Sequence, residues 1–136
     1  MHEGQELLDT LLDPRLERWQ PTGMAEWFKV FKQSTERFDK SIDKALLGGR
    51  MSQCVGFAFS AGYQSAIESL FGLEEPVMAS LCVTEAEGNH PRAIKSRLFE
   101  DDGKLFISGR KNFISGAEHA GLMYVACRDE RFGEGL

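Results

Sequence analysis

The sequence predicts an α+β chain: an N-terminal helical segment, 1–76, followed by an incomplete antiparallel β-barrel-like domain, 77–136. Three observations carry this. Before Pro76 the apolar residues recur at helical spacing, as in Leu7, Leu8, Leu11 and Leu12. After it come short apolar runs, ASLCVT at 79–84 and LMYVAC at 122–127. Between them, Glu100-Asp101-Asp102-Gly103 is a hairpin signal of Asp-Gly type. The βαβ alternation of a doubly wound sheet is missing.

The elements follow in order. The leucine stripe at 7–12 makes a first helix, which Pro14 ends. A second begins after Pro21-Thr22, with Met24, Trp27, Phe28 and Phe31 on one face. Phe38, Ile42, Ala45 and Leu46 continue the same period, and Gly48-Gly49 reads as a stop. The charged residues between them, Glu36, Arg37, Asp39, Lys40, Asp43 and Lys44, read as a solvated face. The third segment, Met51 to Phe71, carries Glu68 as its one charged side chain and reads as a buried helix. Gly56, Ala58, Ala61, Gly62 and Ala66 would admit close neighbours, and Gly72 suits the C′ position.

Five strands are expected beyond Pro76: 79–84, 93–99, 105–108, 111–115 and 122–127, the last buried on both faces. Gly116 to Gly121 and the polar, Gly-rich tail from Arg128 read as loops. The tail reads as a loop leading to a further strand that is absent, so the β half is expected to be completed by another chain or to belong to a truncated product. Strand alternation would place Cys82 with Thr84, and Phe113 with Ser115, on shared faces. A ring and a hydroxyl on one face suit a flat heteroaromatic ligand.

Composition bounds the function. The 136 residues carry 16 Lys and Arg against 21 Asp and Glu, a net charge of −5. That acidic balance lacks the basic footprint of a nucleic-acid binder. No apolar run reaches the length of a membrane span, and MHEGQELLDT lacks the pattern of a signal peptide. A cytoplasmic address is expected. Cys54, Cys82 and Cys127 are widely spaced and read as buried reduced thiols. His2, His90 and His119 are too scattered for a metal site. His90 is read as an exposed loop histidine. The residues alone show no catalytic constellation.

Two motifs add a resemblance. Cys82-Val83-Thr84-Glu85, with Ala93-Ile94-Lys95 downstream, resembles the C-V-T-E-P…I-K signature of acyl-CoA dehydrogenases. Leu105 to Gly116, LFISGRKNFISG, is similar to the family's Y-x-L-N-G-x-K-x-W-I-T-N. Leu122 to Arg128 fits the following strand. The family's order, a helical domain and then a β-domain, is also the order here.

The resemblance implies FAD. It implies that Leu81, Cys82, Val83 and Thr84 line the flavin, with the Thr84 hydroxyl assisting. Phe113 stands where the family has a Trp against the flavin, and Ser115 where it has a Thr. Ile114 lies between them. The family's P-x-x-G-S-D is replaced by Ala86-Glu87-Gly88-Asn89-His90-Pro91, one residue shorter. Gly88 and Asn89 are the implied substrate contacts, Asn89 also meeting cofactor. The family's base lies in a C-terminal helical domain, so no catalytic residue is assigned within this chain, and Glu85 is expected to be structural. The implied function is an FAD-dependent oxidoreductase fragment or subunit acting on acyl-CoA or a related thioester, self-associating or joined to a homologous subunit. The alternatives are a non-catalytic interaction remnant and part of a flavin monooxygenase of the same fold.

Overall fold

The computed structural model describes residues 3–132 and shows an α+β chain: four helices, then a few short strands in two small sheets. It divides into two compact units, Met1–Met78 and Ala79–Leu136.

The first unit holds α1 (Glu3–Leu12), α2 (Met24–Thr35), α3 (Ser41–Met51) and α4 (Val55–Phe71). Leu7 of α1 packs with Phe38, Leu47 and Met51. Trp27 and Phe31 of α2 pack with Ala61 of α4. Trp19 lies against both clusters, and its N–H donates to the Met51 carbonyl at 2.9 Å. At the start of α2 the Glu26 carboxylate turns back to accept from the Thr22 N–H and hydroxyl, at 2.8 and 2.7 Å. These bonds tie the residue before the N-cap Gly23 to the first turn of α2. Gly72, at φ 61°, closes α4.

Several expectations for this unit are corrected. The period from Met24 to Leu46 is broken between Thr35 and Ser41, so α3 starts with a new phase. Asp43, Leu47 and Met51 therefore face inward, while Ile42 and Leu46 are exposed. Gly48-Gly49 does not stop the helix. A Cβ on Gly48 would stand 2.6 Å from the Ala61 Cβ and 2.8 Å from Phe31 Cε2, so the missing side chain is what lets α3 meet α4 and α2. Gly48→Ala is expected to cost about 1–3 kcal/mol by overpacking, measured as a lower urea midpoint at unchanged m. Gly56 and Gly62 carry no such contact.

The charged stretch 36–44 is not uniformly solvated. Asp43 is buried, and Lys44 reaches Glu68 at 2.6 Å. Lys32 meets the other Glu68 oxygen at 2.9 Å. Burial opposes the ionisation of Glu68, but the two ammonium groups outweigh it and hold the carboxyl below its usual range. Nor is α4 buried all round: Val55 is 85% and Leu70 69% exposed. Its fully buried residues are Ala61, Gln64, Ser65 and Ile67, with Phe57 partly buried against Trp27. No helix among the described residues is long and apolar enough to cross a membrane.

The second unit holds β1 (Ala79–Cys82), β2 (Arg97–Asp101), β3 (Lys104–Ser108), β4 (Leu122–Val125) and β5 (Arg128–Asp129). β1 pairs with β4 in parallel, Ala79 opposite Leu122 and Cys82 opposite Val125. β2 lies between β3 and β5. The expected hairpin is present: β2 and β3 are antiparallel, with Asp101 opposite Lys104. Asp102 and Gly103, at φ 47° and 71°, form its two-residue loop, the left-handed geometry that favours Asp-Gly there.

The α+β class holds, but the expected incomplete antiparallel, barrel-like β half is corrected in its pairing. The sheets are open, and both β1–β4 and β2–β5 are parallel. Residues 111–115 form no strand. The fifth strand is instead Arg128–Asp129, which had read as loop. The Arg128 side chain fixes it there, donating to the Ile94 carbonyl at 2.6 Å. β4 is not buried on both faces: Met123 is exposed and its neighbours are half-buried. Of the three cysteines only Cys82 is buried; Cys54 is exposed and Cys127 half-buried.

Candidate functional site

The end of β1 and the loop 109–116 lie together within the second unit. The Asn112 N–H donates to the Thr84 carbonyl at 2.8 Å. Lys111 Nζ donates to the Val83 carbonyl at 3.1 Å. The Ser80 hydroxyl donates to the Ser115 carbonyl at 2.8 Å. These three bonds join residues about thirty apart in the chain, and so bring the two motif segments side by side.

Glu85 anchors the arrangement. Its Oε1 accepts from Lys111 Nζ at 2.7 Å, the Ser96 hydroxyl at 2.6 Å and the Ser96 N–H at 2.9 Å. Its Oε2 accepts from the Lys95 N–H at 2.8 Å. The Glu85 and Lys111 side chains are 8% and 11% exposed. Burial raises the Glu85 carboxyl, but the bonds from Lys111, Ser96 and Lys95 prevail and bring it to about 2. A carboxylate so saturated with donors is a poor proton acceptor. Glu85 ties the end of β1 to the residues preceding β2 and to the loop.

Gly109 completes the packing. A Cβ there would stand 2.7 Å from the Ser96 Cα and collide with the Ser96 side chain. Only glycine leaves Ser96 free to serve Glu85. Beside this cluster lies a cavity of about 350 Å³, lined largely by Ile107, Ile114, Met123 and Val125, with Cys82 and Lys111 as polar neighbours. Burial pushes the Cys82 thiol above its usual range, and the Lys111 ammonium offsets only part of this.

Each expected site residue has a definite place. Leu81 is half-buried in β1, and Cys82 is buried. Val83 and Thr84 follow the strand and are half-buried. Among the described residues no hydrogen bond engages the Thr84 hydroxyl or the Ser115 hydroxyl. Ile114 lines the cavity.

Phe113 and Ser115 do not share a strand face, because no strand forms there. Phe113 instead has φ 56° and is 93% exposed. A bulky residue in the left-handed region is strained, and such strain persists only where the surroundings impose it. Here the bonds at Lys111, Asn112 and Ser115 impose it on both sides of the ring. The half-buried Gly88 exchanges two bonds with Glu85, at 2.9 and 3.0 Å, and holds φ 112°. Asn89 is exposed beyond this turn. His90 is exposed, and its Nδ1 accepts from the Arg92 N–H at 3.1 Å. Gly88 and Asn89 are thus displayed on a tight surface turn.

The residues that sequence reasoning passed over are Lys111, Ser96 and Ser80. Lys111, between Arg110 and Asn112, carried a weak signal: either of two adjacent cations in a motif segment can be a buried partner. The two serines carried none. Among the described residues no group of three or more His, Cys, Asp and Glu side chains is placed to hold a metal ion.

Comparison with family models, with curated proteins and with solved structures finds no match to this chain.

Proposed function

We propose that the second unit is the flavin-binding part of an acyl-CoA dehydrogenase-like oxidoreductase, with FAD as cofactor and acyl-CoA or a related thioester as substrate. One observation carries the reading. Two segments that resemble flavin-lining motifs are hydrogen-bonded to each other, and the junction displays an aromatic ring on a strained, externally fixed backbone.

The donor set fits the isoalloxazine. Its pyrimidine edge asks for hydrogen-bond donors beside a flat apolar surface. The Thr84 and Ser115 hydroxyls are uncommitted among the described residues. Phe113 offers a ring for stacking. When bound, FAD would supply two-electron acceptance, which would allow the α,β-dehydrogenation of an acyl thioester with a hydride passing to the flavin and the α-proton to a base. The part of this chain is to hold and orient. Lys111 keeps Val83 and Glu85 in place, Asn112 keeps Thr84, and the altered turn at Gly88-Asn89 shapes the substrate side. Self-association or a homologous subunit would supply the rest of the enclosure.

The test is flavin retention. The purified chain is mixed with FAD and desalted, and its visible absorbance is read. Retained flavin is expected. Phe113→Ala is expected to weaken binding about tenfold, the equivalent of one aromatic contact of about 1.4 kcal/mol. Ser115→Ala is expected to do so by a smaller factor. A chain that retains no flavin, or a Phe113→Ala variant that binds as the parent does, overturns the reading. The remaining account is then an interaction remnant without cofactor.

A further inference from the structure

The left-handed backbone at Phe113, φ 56°, is unfavourable for a bulky residue, and the ring gains no packing from it, since it is almost wholly exposed. The conformation persists because the chain is held on either side. Before the ring the hold is double. Lys111 reaches the Val83 carbonyl and Glu85, and the Asn112 N–H reaches the Thr84 carbonyl. After the ring it is single. Among the described residues, the Ser80 hydroxyl on the Ser115 carbonyl, at 2.8 Å, is the one hydrogen bond that ties residues 113–116 to another element. The other bonds there are local: the Ala117 N–H meets the Ile114 carbonyl, and the His119 N–H meets that of Gly116.

Ser80 is placed for this contact. It lies inside β1, opposite Met123 of β4, and is fully buried. Strand alternation puts it on the face of β1 that also carries Cys82, and Cys82 lines the cavity together with Ile114. The loop therefore covers that face. A Cβ on Gly116 would come within 3.5 Å of the Ser80 hydroxyl, so the chain passes close over it. The ladder bonds of β1 are backbone bonds that other residues make equally well. A buried hydroxyl without a partner costs stability, and the bond to Ser115 removes that cost.

We propose that Ser80 is the positioning residue for Phe113: through the Ser115 carbonyl it closes the second side of the clamp and holds the ring in its outward, left-handed pose. What the ring meets rests on the flavin reading. There Ser80 preorganises the stacking surface, and binding has no ring to order.

Two substitutions read in combination test this. Phe113→Gly removes an exposed ring and lets the position take a positive φ freely. In the parent chain it is expected to raise the urea midpoint of the second unit by roughly 0.5 M, followed at the amide resonances of β2 and β3. In a chain carrying Ser80→Ala the backbone at Phe113 is free to relax. Phe113→Gly is then expected to lower the midpoint, because only the added freedom of glycine in the unfolded chain remains. A serine that merely stabilised β1 would leave the effect of Phe113→Gly the same in both chains, and that result overturns the proposal. So does a parent midpoint that Phe113→Gly fails to raise. Ser80→Cys keeps the volume with a far weaker donor, and it carries the same comparison if Ser80→Ala does not fold.

Flavin gives the second readout. Ser80→Ala is expected to weaken FAD binding about tenfold in the parent, and to change it little where Phe113→Ala has already removed the ring. An equal loss in both chains overturns the proposal. A parent chain that retains no flavin overturns the flavin reading alone, because the urea midpoints need no cofactor and still decide the hold on the ring.

Discussion

Lys111→Met is expected to destabilise the second unit by about 3–5 kcal/mol, because it leaves the Glu85 carboxylate buried without its cation. The substitution keeps the length and apolar stem of the side chain, so lost charge and hydrogen bonding dominate lost packing. Two bonds go at once, to the Val83 carbonyl and to Glu85. The readout is hydrogen exchange at the Asn112 amide, which donates to Thr84 across the same junction. Protection there should fall in the variant. Unchanged protection would mean that the ion pair does not hold the loop.

The same cluster sets an acid limit. Glu85 titrates at about 2 in the folded chain, against 4.5 for a free carboxyl. The folded state therefore prefers the ionised form. That preference contributes its full stability above pH 4.5, and it is lost as the pH falls from 4.5 toward 2. At 1.36 kcal/mol per pH unit the whole contribution is about 3 kcal/mol. In Lys111→Met the burial of Glu85 is no longer opposed by the ammonium, and its pKa rises. The acid loss should then still begin near 4.5 but end at a higher pH and be smaller, as urea unfolding at a series of pH values would show.

Trp27→Ala is expected to cost about 3–5 kcal/mol in the first unit. Trp27 is fully buried and lies parallel to Phe31 and Phe57, with centroids 5.1 and 5.8 Å away. Removing the indole leaves both rings facing a void that the helices cannot easily close. Trp27→Phe should cost less, about 1–2 kcal/mol. It keeps a ring in the stack and removes a buried indole N–H that has no partner among the described residues. Urea unfolding followed by Trp19 fluorescence separates the two. Equal losses for Ala and Phe would place the cost in the indole volume that a single ring cannot fill and not in the stack.

Much of the architecture was legible from residue order. The 3.6-residue leucine and aromatic spacing marked the helices, because one face of a helix must be apolar to be buried. Asp102-Gly103 marked the hairpin, because few residues accept two successive left-handed conformations. Gly72 marked the end of α4 for the same reason. The two motif segments were also legible as a pair, and the fold does bring them together.

What sequence order could not reveal depended on contacts between distant residues. Gly48 looked like a helix stop until Ala61 and Phe31 were found against it. Asp43 and Lys44 looked solvated because the break at residues 36–40, which resets the phase of α3, is set by tertiary packing. Residues 111–115 had the alternation of a strand, yet they lie in a loop, held by Val83, Thr84, Glu85 and Ser80. Strand identity requires a partner, and pairing is a property of the assembled sheet. The two-residue strand Arg128–Asp129 exists because the Arg128 guanidinium reaches Ile94, thirty-four residues earlier.

The sequence by itself determined where helices give way to strands, where the tight turn falls, and which residues carry ring and hydroxyl chemistry. These follow from local backbone preference and hydrophobic period. Only the tertiary structure decided that Glu85 is a saturated anchor, that Phe113 stands out on a strained backbone, and that β3 keeps an open edge. Burial, saturation of hydrogen bonds and strand pairing are relations between residues far apart in the chain, and no local pattern encodes them.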